Sequence, residues 1–214
     1  MLEGVVTAVE PQRRRGGKRC NVFLDGRYAF SLESEVAVGL RVGEPLSEAQ
    51  RAELLSKDQA ARCYDAALRF LAARPRSEQE VRRRLAEHGH PGELIDRAIE
   101  KLREYRLLDD TAFAQFWIEQ RQTHRPRGAR LLKLELRQKG LTSEQAGEAL
   151  AELGDEAESA YQAAAKRART LRGLDERTFR QRLGAFLQRR GFDYEVSAVA
   201  VKRLWNELEP ERPP

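Results

Sequence analysis

The chain has 214 residues, of which 41% are hydrophobic, 34% charged and only 7% aromatic; so few aromatics argue against a large ring-lined pocket for a small molecule. Thirty-nine Lys and Arg against thirty-four Asp and Glu leave a net charge of +5, too small an excess to name a partner, so the distribution of charge matters more than its sum. Cys20 and Cys63 are far apart and belong to no CxxC pattern, which excludes a disulfide framework and a zinc finger.

In chain order, Val5, Val6, Ala8 and Val9 predict a strand, followed by a basic loop of Arg13, Arg14, Arg15, Gly16, Gly17, Lys18 and Arg19. Val22 and Leu24 alternate up to Asp25-Gly26, and Tyr28, Phe30 and Leu32 alternate after it. Asp-Gly between two period-2 segments signals a hairpin, because a type I′ turn needs positive φ at both central residues. A three-stranded meander is expected, with a short helix completing a module over residues 1–57.

From about residue 47 the periodicity is helical, and it repeats. Val81, Leu132 and Leu183 are spaced by 51 residues, as are Leu85, Leu136 and Leu187, and Gly89, Gly140 and Gly191. Ala61, Ala112 and Ala163, and Cys63, Ala114 and Ala165, match upstream; Leu102, Leu153 and Leu204 match downstream. Anchors holding one period without gaps point to internal duplication. Within a unit, Ser77 with Glu80 reads as a capping box, Val81 and Leu85 as a buried stripe, and Gly89 as the helix end. Opening helices are expected at roughly 58–73, 110–124 and 157–172. The expected fold is mainly α: three tandem three-helix repeats at 58–109, 110–156 and 157–210, forming an elongated, curved solenoid after the β-meander, with a tail at 211–214.

Little here points to catalysis. Asp109-Asp110 lacks a further ligand and reads as a helix cap before Phe113 and Ala114. His88 and His90 straddle a helix-terminal glycine with no third ligand beside them. No P-loop, nucleophile elbow or dinucleotide fingerprint occurs. Neither a signal peptide nor a run of about 18 apolar residues is present, so a cytoplasmic protein away from membranes is expected. No metal or other cofactor is called for.

The basic segments are more informative. Arg121, Arg125, Arg127, Arg130, Lys133, Arg137 and Lys139 are interrupted by Glu135 alone. Between Lys166 and Arg190, nine Lys and Arg, among them Arg167, Arg169 and Arg172, face only Asp175 and Glu176. Intrahelical pairing cannot neutralise such runs, so an acidic or phosphate-bearing partner is implied. Arg125, Arg127 and Arg130 flank Gly128 in a connection, where exposed side chains are expected to reach outward, with Lys133 and Arg137 on the same face. The run Arg82-Arg83-Arg84 reads equally well as a solvated helix face.

Several motifs occur in the order and spacing of one family. Arg76-Ser77-x-x-Glu80-Val81-x-x-x-Leu85, Leu94-Ile95 with Leu102, and Leu107-x-Asp109-Asp110-x-x-Phe113-Ala114 are followed by Gly128, Leu132, Glu135-Leu136 and Lys139-Gly140. In this the chain resembles the RecX family, and Asn21-Val22-Phe23-Leu24-Asp25 with Tyr28-Ala29-Phe30-Ser31 looks like an N-terminal extension that some members carry. The resemblance covers about the first 150 residues. It implies a cytosolic, non-enzymatic regulator that binds the RecA recombinase filament along its groove. Such a regulator inhibits the recombinase's ATPase, strand exchange and co-protease functions, and some members bind DNA. A monomer is expected. The runner-up is a general DNA-binding helical-repeat module.

Overall fold

Asp25 and Gly26 both have positive φ, 49° and 77°, as a type I′ turn between two strands requires. The computed structural model describes residues 2–13 and 18–208. Of the expected basic loop, Arg14, Arg15, Gly16 and Gly17 lie outside the described residues. Contacts divide the chain into two compact units, Met1–Arg74 with Val81–Leu107, and Pro75–Glu80 with Leu108–Pro214.

In the first unit, strands β1 (Leu2–Pro11), β2 (Arg19–Leu24) and β3 (Arg27–Glu33) form the expected antiparallel meander. A three-residue strand, β4 (Pro45–Ser47), adds to the free edge of β1, giving the order β3-β2-β1-β4. The sequence did not signal this fourth strand, because it is too short to show alternation and begins with proline. Helix α1 (Ser34–Ala37) is a single turn, whereas α2 runs without a break over Glu48–Leu71, starting ten residues before the expected opening helix. Ser47 and Gln50 explain the early start: the Ser47 hydroxyl accepts from the Gln50 N–H and the Gln50 side chain accepts from the Ser47 N–H, a complete capping box.

Arg19, expected in the basic loop, is instead buried at the start of β2. Its guanidinium donates to Glu33 (2.8 Å), to the Ser31 carbonyl (2.8 Å) and to buried Asp58 on α2 (3.3 Å). Asp58 also accepts from the Glu33 N–H, so the sheet is held on α2 through charges that satisfy each other away from water. Helix α3 (Glu78–Glu87) contributes Val81 and Leu85 to the apolar interior, and α4 (Gly92–Glu104) contributes Ile95, Ala98, Ile99 and Leu102. Arg82 pairs with Asp96, Arg83 and Arg84 lie near Glu87, and Arg84 also covers Phe70, so this run is a paired helix face.

The second unit contains two three-helix sets: α5 (Asp110–His124), α6 (Ala129–Gln138) and α7 (Ser143–Ala151), then α8 (Glu156–Arg169), α9 (Glu176–Arg189) and α10 (Tyr194–Leu208). Asp109 accepts from the N–H groups of Thr111 and Ala112, so the acidic pair serves helix starts as expected. Leu132, Leu136, Leu183 and Leu187 are fully buried, which places the repeat's apolar stripe on the core face. The 51-residue spacing fails at one place. In α8 the buried residues matching Phe113, Ala114 and Ile118 are Ala163, Ala164 and Ala168, one position earlier than the period gives, and Ala165 is only half-buried. Ala112, one of the expected small-residue anchors, is exposed.

Two helix starts in this unit are finished by residues from the next set, at corresponding positions. Ser77 accepts from the Glu80 N–H and donates to the Lys139 carbonyl (2.6 Å), while Asp110 accepts from the Glu78 N–H (2.9 Å). Gly128, fifty-one residues after Ser77, donates its N–H to the carbonyl of Arg190, fifty-one residues after Lys139 (3.0 Å), and Glu156, which opens α8 as Asp110 opens α5, accepts from the Ala129 N–H (2.8 Å). Gly191, at φ +87°, lies so close to this start that a Cβ there would sit 2.4 Å from Leu131 Cβ. Helix α9 starts about one turn earlier and is capped by its own Asp175.

Candidate binding surface

The middle basic segment begins where α5 stops. Pro126 cannot continue a helix, and the Arg125 N–H makes the last helical hydrogen bond, to the Arg121 carbonyl. The connection then turns through Gly128, where a side chain would collide with the backbone of Gly191 and Phe192, at 2.3–2.4 Å. Arg190 donates to the Pro126 carbonyl (3.3 Å) and Arg130 to the Gln188 carbonyl (3.1 Å), so this loop is fixed against the end of α9.

Within this frame the seven expected cations separate into two groups. Arg121, Arg127 and Lys139 are committed to the interior. Buried Glu135 accepts from Arg121 (2.9 Å) and from the Trp117 indole N–H (2.9 Å), and it also pairs with Arg127. Lys139 pairs with buried Glu80 at 2.6 Å and sits over the Trp117 ring, whose centroid is also 4.1 Å from the Arg121 guanidinium. The expectation that Arg127 reaches outward is therefore corrected. The one acid in the segment faces inward and draws two arginines with it, because a buried carboxylate must find cationic or hydrogen-bonding partners.

Arg125, Arg130, Lys133 and Arg137 are exposed and have no carboxylate partner among the described residues. Arg130, Lys133 and Arg137 share the outer face of α6 with Leu134, which is 52% exposed. Sequence reasoning passed over Leu134 because Leu131, Leu132, Leu134 and Leu136 are more leucines than one buried stripe needs, and the excess residue was not singled out.

A second cationic group gathers in a cleft of about 390 Å³ lined by the ends of α5, α8 and α9. Of the expected residues Arg125 and Arg167 enter it, while exposed Arg169 and Arg172 do not. His124, Lys166 and Arg190 line it unanticipated. They lie inside or beside the basic runs, but only the tertiary fold brings them together. Burial and the neighbouring Arg125 hold the Arg190 pKa below the ordinary arginine value; burial, then Arg121, Arg190 and Arg125, do the same for Arg127. Among the described residues no group of carboxylates, imidazoles and thiols could hold a metal ion, and no helix is long and apolar enough to cross a membrane.

Three family models match the helical sets: the first three-helix domain of RecX at residues 63–102, the second at 109–150 and the third at 154–200. The regulatory protein RecX of Levilactobacillus brevis is 32% identical over 211 residues, covering 97% of this chain and 78% of that protein. The chain belongs to the RecX family. The regulatory protein RecX of Clostridium perfringens is 30% identical over 209 residues, covering 95% and 97% of the two chains. A crystal structure of a regulatory protein RecX superposes with a TM-score of 0.75 at 30% identity, over 93% of this chain and 99% of the other. The RecX structure from Lactobacillus salivarius gives 0.64 at 25% identity, over 69% and 97%. The mainly helical fold, with three RecX three-helix domains and a small N-terminal antiparallel sheet, is thus as expected, and the match extends through the third repeat, which the motifs alone did not reach.

Proposed function

We propose that this RecX-family chain binds the RecA recombinase filament and inhibits its ATPase, strand-exchange and co-protease activities. It acts in the cytoplasm as a monomer, without catalysis or a cofactor of its own. The observation that carries this reading is the outer face of α6, where Arg130, Lys133 and Arg137 surround exposed Leu134. Unpaired cations around an apolar side chain suit a protein surface that offers carboxylates and a small apolar socket, since protein interfaces combine an apolar centre with a charged rim.

The test is a titration of DNA-dependent ATP hydrolysis by RecA. Inhibition is expected below one chain per recombinase subunit, because a repeat protein can touch several subunits at once. No effect up to equimolar protein overturns the assignment. Lys133→Glu with Arg137→Glu should leave stability nearly unchanged, as exposed substitutions usually stay within about 0.5 kcal/mol. It should weaken filament binding at least tenfold, about 1.4 kcal/mol. The second reading, a general DNA-binding module, draws on the cationic cleft; it requires that inhibition disappear wherever salt abolishes binding to bare DNA.

A further inference from the structure

The first unit holds a cavity of about 300 Å³ where the entry to β2, the end of β3, the second half of α2 and the end of α3 meet. Its lining is charged or titratable throughout, apart from Ala66. The acids in it are already taken: Glu33 pairs with Arg19, which also holds Asp58 from behind, and Asp65 pairs with Arg69. Lys18 and Arg62 are left over, with no carboxylate partner among the described residues. Two imidazoles face the same space. His88 donates its Nδ1–H to the Arg84 carbonyl (2.9 Å), which leaves Nε2 uncommitted. His90 is half-buried, and its ring has no hydrogen-bond partner among the described residues. Burial, then Arg62, then His88 hold its pKa below the ordinary histidine value. Exposed cations such as Lys18 and Arg62 usually meet only water, and by themselves they would carry no conclusion. The half-buried, unbonded ring beside them is the further observation, because buried polar atoms ordinarily find a partner.

We propose that this cavity binds a small phosphate dianion, free or as the monoester of a small molecule, between Arg62, Lys18 and the two imidazoles. Two unpaired cations match a dianion, whereas a carboxylate or a phosphodiester brings a single charge and leaves one cation over. The volume lies at the lower end for small-molecule sites, enough for an oxyanion with a short substituent. No Phe, Tyr or Trp lines it, so a base has nothing there to stack on. The anion also reverses the setting of His90: it neutralises Arg62 and accepts from the ring, so the charged imidazole becomes the favoured form. Binding therefore draws a proton onto His90 and tightens as pH falls toward the pKa of the free protein. The cavity belongs to the first unit and rests on neither the α6 face nor the cationic cleft, which belong to the second.

The test follows the His90 titration in the full chain by side-chain NMR, in sodium chloride, sulfate and phosphate at equal ionic strength. Sulfate stays a dianion over the whole range, so its arm is free of ligand protonation. The His90 signal is the one missing from His90→Asn. Sulfate and phosphate should each raise its midpoint by about one unit relative to chloride, as an opposite charge at close range does. Glycerol phosphate should act as phosphate does, and dimethyl phosphate, a diester, should leave the midpoint where chloride has it. Arg62→Gln should abolish the anion-induced shift and Arg62→Lys restore part of it. Arg27→Gln, an equal charge change on β3 outside the cavity, should shift as the wild type does. The wild-type comparison stands even if a variant fails to fold: the same midpoint in sulfate as in chloride overturns the proposal. So does a full shift in folded Arg62→Gln, which would leave only a general salt effect. A shift produced by oligo(dT) or a phosphopeptide but by none of the small dianions also overturns it, and assigns the cavity to a macromolecule.

Discussion

Gly191→Ala in the second unit should be far more damaging than Gly173→Ala, although both glycines sit at nearly the same backbone angle, +87° and +84°. An L-residue in that left-handed conformation costs about 1–2 kcal/mol, and Gly173 should pay only this, since a Cβ there meets nothing within 4 Å. At Gly191 the new methyl would lie 2.4 Å from Leu131 Cβ and 2.6 Å from the Leu131 nitrogen, which belongs to the first turn of α6. Backbone cannot rotate aside as a side chain can, so α6 and the end of α9 must move apart, an overpacking cost of about 1–3 kcal/mol. Separation also loses the hydrogen bond from the Gly128 N–H to the Arg190 carbonyl, about 1 kcal/mol more. The expected totals are about 1–2 kcal/mol for Gly173→Ala and about 3–6 kcal/mol for Gly191→Ala. Urea unfolding followed by tryptophan emission reads both, because Trp117 and Trp205 both lie in this unit. Equal shifts for the two variants would refute the close approach of the two helix ends.

Two further outcomes follow from burial and charge. Leu136→Ala should cost about 2–5 kcal/mol, since Leu136 is fully buried with Phe113, Leu132 and Leu141; an unchanged midpoint in the same urea titration would mean that the repeat's core face is misplaced. His90 has its pKa lowered by burial, then by Arg62 and His88. The unfolded chain therefore takes up the proton more readily, so stability of the first unit should fall as pH drops below about 6.5, the ordinary histidine value. His90→Asn should make that fall shallower, as measured by unfolding midpoints at neutral and mildly acidic pH, and an identical pH dependence in the variant would refute it.

The period of 51 residues settled most of the architecture before any coordinates. Buried leucines recur because each unit must hide the same stripe, and the glycines recur because each middle helix ends in a left-handed turn. The Asp25-Gly26 hairpin and the cap at Asp109 were legible for the same reason: their chemistry is local, complete within a few residues. Long-range pairing was not legible. Arg121, Arg127 and Arg130 look alike in the sequence, yet Glu135 faces the interior and takes the first two as partners, leaving the third outside. Arg19 has the composition of its loop and the environment of a core residue, because Asp58, thirty-nine positions later, lies buried against it. The cleft is the clearest case. Its cations come from three helices whose ends meet only after packing, and Coulomb interactions depend on distance through space, which residue order along the chain does not set.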